Sequence, residues 1–238
     1  MPTVSGNWKI LGIAFDSRLT IIVLYSAFAF VFRSYHYDVF FKLLCAIGLD
    51  EFAKTHLSTP LLQSIHLEFC LFLFGPLAIQ KFLFKESILE HFGFGKAKEG
   101  ILWTLGLALP ILLILYLTVP DSPIGLFYKR LYYGNDEVNL LKHMKMIYVC
   151  FIQLFGWEYI LRGFILFGAA RVIGPGPAIL MQALPFTTLH IGKPELEVFS
   201  TLLTGPLFGI IAYRTNTFLY IFFIHMIILA GANLLSVS

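Results

Sequence analysis

Residues Ile101 to Val119 form an apolar run of 19 residues without one charged side chain, and no other feature constrains the fold so tightly. Wound as a helix at 1.5 Å per residue, such a stretch crosses a hydrocarbon layer roughly 30 Å thick. The composition agrees, because 58% of the residues are hydrophobic and 13% charged, whereas soluble domains carry about 25% charge. Further spans are predicted over Leu19–Phe32, extended backwards over Ile10–Phe15, and over Glu68–Phe84, Met146–Gly168, Pro177–His190, Leu196–Tyr213 and Phe218–Leu235. That makes about seven transmembrane helices, because only helices and closed barrels satisfy every backbone polar group in lipid. No ten-residue segments alternate between apolar and polar as a barrel requires. The expected fold class is therefore all-α, a polytopic integral membrane bundle.

The chain reads as a single membrane domain over residues 1–238, with no internal repeat and no low-complexity tract. Lys85–Gly100 and Asp121–Lys142, the latter holding a Gly-Asn-Asp-Glu sequence, read as exposed loops. The amino terminus lacks the charged start, apolar stretch and small-residue cleavage site of a signal peptide, so the first span is expected to stay attached as a signal anchor. Lys and Arg fall evenly on the two sides of a seven-span arrangement, so the positive-inside rule sets no orientation. A net charge of +3, spread among loops, gives no basic stripe for nucleic acid and only a mild attraction to anionic headgroups. Cys45, Cys70 and Cys150 stand singly among apolar neighbours and read as packing residues.

Chemistry is concentrated in a few polar side chains inside this apolar background. Glu158 and Arg162 lie in GWEYILRGFILFG, His190 closes LPFTTLH, and His225 lies in TFLYIFFIHMIILAGANLL. A charged group in hydrocarbon costs roughly 2.5 kcal/mol or more unless paired or hydrated, so such residues mark functional sites by default. A bland reading stands beside this one. Glu158 and Arg162, four apart on one helix face, can form a purely structural ion pair, and a lone His225 can simply bond a backbone carbonyl. Measured along their spans, Glu158 lies roughly 18 Å from Met146, His225 roughly 10 Å from Phe218 and His190 roughly 20 Å from Pro177. These depths permit a common site. After His190, Gly192, Lys193 and Pro194 form a turn into a helix whose first turns carry Glu195 and Glu197, where carboxylates suit the helix dipole.

Over about Gly156 to Leu235 these residues resemble the CAAX-type prenyl endopeptidases and bacteriocin-processing proteins, the CPBP or Abi family. Its first motif, two glutamates, three residues and an arginine followed by glycine, is matched by Trp157, Glu158, Arg162 and Gly163. Its second, a phenylalanine four residues before a histidine, is matched by Phe186 and His190. The Gly192-Lys193-Pro194 turn with Glu197, the glycines Gly205 and Gly209, and the helix around His225 follow in order and spacing. Two positions depart: Trp157 stands where the first glutamate belongs, and Leu229 stands four residues after His225 where asparagine is frequent. Asn233 lies one further turn along.

The resemblance implies a membrane-embedded endopeptidase whose catalytic core is residues 146–238, with residues 1–145 supplying spans and loops of uncertain role. It implies that Glu158 and His190 hold the attacking water and that His225 stabilises the oxyanion, with Arg162, Phe186 and Asn233 in support. Two imidazoles and a carboxylate also make a plausible zinc set, with Glu158, His190 and His225 as candidate ligands. The sequence has no HExxH, so metal-assisted and metal-free hydrolysis both stay open. The implied partner is a peptide or protein substrate in or near the lipid bilayer. The rival reading is a catalytically degenerate membrane binding or immunity protein of the same fold, which Trp157 and Leu229 favour. A proton-relay transporter is disfavoured, because the chain has no paired halves with matching interrupted helices.

Overall fold

A computed structural model of the protein describes residues 6–10, 13–57, 59–87, 91–134 and 138–237. Helix α1 is Ser17–Tyr35, α2 Val39–Ala46, α3 Asp50–His56, α4 Pro60–Phe84 and α5 Ala97–Thr118. They are followed by α6 Pro123–Tyr132, α7 Leu140–Ile173, α8 Pro175–Thr188, α9 Glu195–Thr215 and α10 Leu219–Leu235. Helices α1, α4, α5, α7 and α9 are long and apolar enough to cross a membrane, and α10 is an apolar helix of 17 residues. The protein is thus a helical, multi-pass membrane bundle. Helix α8 has 14 residues, about 21 Å of rise, which is short of the hydrocarbon thickness.

Side-chain caps explain the starts of α1, α4, α6 and α7 and several departures from the expected boundaries. The described residues of the backward extension of the first span, Ile10 and Ile13–Phe15, are not helical. Strands β1 (Asn7–Ile10) and β2 (Ile13–Asp16) pair antiparallel there, with Ile10 opposite Ile13. Helix α1 starts at Ser17 because Asp16 Oδ1 accepts the Leu19 amide at 2.9 Å. Helix α4 starts eight residues before its expected end at Glu68, where Thr59 Oγ1 accepts the Leu62 amide at 3.3 Å and Pro60 occupies the first turn. Glu68 consequently lies inside the helix rather than at its edge. The expected loop Asp121–Lys142 contains α6, capped by Ser122, and the start of α7, where Asn139 Oδ1 accepts the Lys142 amide at 3.0 Å. Its Asn135, Asp136 and Glu137 lie outside the described residues, as do residues 88–90 of the expected loop Lys85–Gly100, which gives way to α5 at Ala97.

Helix α7 is the axis of the bundle. It packs against α4, α8 and α10, and α10 in turn packs against α5. Its 34 residues rise about 51 Å, so it must tilt or protrude beyond a layer of roughly 30 Å. Helix α5 lies outermost and exposes Leu102, Leu109 and Leu117 by 63%, 64% and 71%, the surface expected to meet acyl chains. Helices α8 and α9 approach closely through small residues, as association in lipid favours. A Cβ on Gly205 would come within 3.2 Å of Ala183 and Phe186, and one on Gly209 within 2.6 Å of Gln182.

From Tyr159 to Leu166, directly after Glu158, α7 winds in wide i→i+5 turns. Helix α4 does the same over Cys70–Phe74 and Ile79–Phe84. Wide turns shift the hydrogen-bond ladder, so backbone groups there look for partners elsewhere, and they recur near functional sites. Gln80 of α4 meets this demand: its amide donates to the Gly163 carbonyl at 3.4 Å and its carbonyl oxygen accepts from the Tyr159 hydroxyl.

Candidate active site

Helices α7, α8 and α10 bring Glu158, Arg162, Phe186, His190 and His225 together, and all five are buried. The His225 Nδ1 lies 2.7 Å from Glu158 Oε1. Arg162 Nη1 donates to the same oxygen at 3.1 Å and lies 3.0 Å from Oε2. The guanidinium is also held 4.4 Å above the Phe186 ring and 5.6 Å from that of Phe208, an attraction strengthened by exclusion of water. Glu158 therefore serves two partners, one on its own helix and one across the bundle. This arrangement differs from the expected pairing of Glu158 with His190, because the carboxylate is turned towards α10.

His190 is fixed from the other side. Its Nδ1 lies 2.8 Å from the Phe186 carbonyl oxygen. A carbonyl can only accept, so Nδ1 carries the proton, and in the neutral form of the ring Nε2 is the bare nitrogen. The Phe186 ring packs against His190 at 4.7 Å between centroids. The two imidazoles lie nearly parallel, at 15° with centroids 6.3 Å apart.

A second group of polar residues borders His190. Its Nε2 lies 4.0 Å from Glu197 Oε1. That oxygen accepts from the Tyr128 hydroxyl at 2.6 Å and from Lys193 Nζ at 2.8 Å. Burial first, and then the neighbouring carboxylate, hold the Tyr128 phenol well above its ordinary pKa, so it stays a donor. The turn Ile191–Pro194 makes this approach possible: Gly192 takes φ +96°, a conformation that side chains disfavour, and the Lys193 amide donates to the His190 carbonyl at 3.1 Å.

Trp157 occupies the space beside His190, with ring centroids 5.7 Å apart and the planes nearly perpendicular. Its indole Nε1 donates to Glu68 Oε2 at 2.5 Å. Glu68 is 1% exposed. Its other oxygen accepts from Arg33 Nε at 2.8 Å and Ser64 Oγ at 3.0 Å, and Arg33 Nη2 lies 2.7 Å away. Helices α1, α4 and α7 are thus tied by one carboxylate behind the tryptophan. The signal for Glu68 is present in the sequence as a charge between apolar neighbours, although a charge in that position also fits a span end.

Asn233 stays away from this cluster. Eight residues along α10 place it about 12 Å from His225 along the axis, and its amide donates to the Leu229 carbonyl at 2.8 Å. The zinc set also fits poorly. Among the described residues no three His, Cys, Asp or Glu side chains are arranged to hold a metal ion. Glu158 is already committed to a guanidinium and an imidazole, and a metal cation there would face Arg162.

Residues 139–230 match the model of a family described as type II CAAX prenyl endopeptidase Rce1-like. The match bears out the resemblance drawn from Glu158, Arg162, Phe186 and His190, and it ends before Asn233. No curated protein and no solved structure matches the chain.

Proposed function

With residues 139–230 matched to the Rce1-like family of membrane proteases, we propose that the protein is an intramembrane endopeptidase that hydrolyses a peptide bond in a substrate at or near the lipid bilayer. The observation that carries this reading is the pair of parallel imidazoles, each anchored through Nδ1, one to a carboxylate and one to a carbonyl. Two rings held this way turn their Nε2 atoms to other tasks. His190, bare at Nε2, accepts a proton from water. His225 donates from Nε2 to the oxygen of the tetrahedral intermediate. Glu158 orients His225, as a carboxylate orients imidazole in other hydrolases, and Arg162 balances its charge. No step runs through a metal.

The test is cleavage by the purified protein in liposomes, using a panel of prenylated and unmodified peptides ending in CAAX sequences. Wild type is expected to cleave, and Glu158→Gln, His190→Ala and His225→Ala each to lose about 100-fold or more of kcat. Undiminished cleavage by all three variants removes the proposed site.

Trp157 favours a second reading. It fills the position of the first glutamate and is bonded to Glu68, as in a pocket that holds a peptide without cutting it. Peptide binding by the wild type with no cleavage across the panel would select this reading.

A further inference from the structure

We propose that Glu197 is the carboxylate that works with His190, taking the part that position 157 cannot take with a tryptophan there; the assignment rests on the peptidase reading. Three observations meet at this residue. His190, 3% exposed, points its bare Nε2 at Glu197 Oε1 from 4.0 Å, too far for a direct hydrogen bond. That spacing lets one water molecule donate to both groups at ordinary lengths. Glu197 Oε1 is fixed by Tyr128 and Lys193 on one flank. Its Oε2 is buried and has no hydrogen-bond partner among the described residues, a state that buried acceptors rarely keep without a ligand or water. Glu158 also has a buried Oε2 without a hydrogen bond, but its carboxylate is turned to Arg162 and His225 rather than to His190.

Water bound here donates one O–H to His190 Nε2 and the other to the Glu197 carboxylate, which leaves its lone pairs turned outward. Its oxygen attacks the carbonyl carbon of the peptide bond while His190 Nε2 takes the first proton. The new C–O bond forms, and the carbonyl π pair moves to oxygen. The intermediate then collapses, the C–N bond breaks, and the proton on His190 passes to the departing amine. The Glu197 carboxylate faces the transient imidazolium and steadies it. The site would therefore sit where the α8–α9 turn meets α6, at the end of two apolar helices, so that a substrate in the bilayer is met at its edge.

The deciding experiment measures kcat and KM in liposomes for wild type, Glu197→Gln, Glu197→Asp and Tyr128→Phe, with thermal unfolding of each. Glu197→Gln is expected to lower kcat about 100-fold or more with KM within about threefold, and Glu197→Asp to recover part of the loss. Unfolding temperatures are expected to stay close to wild type. A wild type that cleaves while Glu197→Gln retains its kcat overturns the assignment and leaves the peptidase reading intact. A wild type that cleaves nothing overturns both. Should Glu197→Gln fail to fold, Tyr128→Phe keeps the carboxylate but frees it to move, and an unchanged kcat in that variant counts against the proposal; a fall of about tenfold supports it.

Discussion

His225 Nδ1 and Glu158 Oε1 meet at 2.7 Å across two helices, 67 residues apart in the chain. With Arg162 on the same carboxylate, they form a buried triad of two cation-forming groups around one acid. Removing the acid strands the guanidinium, and breaking a buried pair from one side costs about 3–5 kcal/mol. Glu158→Gln is therefore expected to lower the unfolding temperature in detergent, and Arg162→Met in the same chain to restore most of it without restoring cleavage. A Glu158→Gln variant as stable as wild type would show that the pair carries no weight.

Trp157 separates His190 from Glu68, and its indole is one of the donors that satisfy that acid. Replacing it by the family's glutamate sets a second carboxylate beside a buried first one, which like-charge repulsion opposes. Trp157→Glu alone is expected to unfold at a lower temperature than wild type. Trp157→Glu with Glu68→Gln is expected to recover stability, because only one carboxylate remains. Equal stability of the single and double variants would rule out this contact as the reason.

The close approach of α8 and α9 carries Phe186, and through it His190. Gly205→Val would drive a branched side chain into Ala183 and Phe186, and overpacking of this kind costs about 1–3 kcal/mol. Both stability and kcat are expected to fall, while Gly176→Val, whose Cβ meets nothing within 4 Å, changes neither. The comparison is read by thermal unfolding and by cleavage of a single peptide.

Metal removal gives a further check. Glu158 is held by Arg162 and His225, and His190 is held by the Phe186 carbonyl, so prolonged chelation is expected to leave cleavage unchanged. Loss of activity that added zinc restores would place a metal in the mechanism.

Much of the architecture was legible from residue type alone. An uninterrupted apolar run such as Ile101–Val119 can satisfy its backbone in lipid only as a helix, and cap residues such as Asn139 mark where helices begin. The span ends were less legible. Glu68 looked like a boundary because a charge in hydrocarbon is costly, and only its partners Arg33, Ser64 and Trp157, brought by other helices, make its burial tolerable. The Ile10–Phe15 segment is apolar enough to extend a helix, yet Asp16 caps α1, and Ile10 and Ile13–Phe15 lie in the paired strands β1 and β2.

The sequence by itself determined that this is a helical membrane protein and which few polar side chains must find partners, because burial in lipid penalises every unpaired charge whatever the fold. Only the tertiary structure decided who pairs with whom. Glu158 turned to His225 rather than to His190, and Glu197, read from sequence as a helix-start carboxylate, came to face His190 through the turn at Gly192. Those choices depend on helix rotation and on contacts between distant segments, and a linear pattern carries neither.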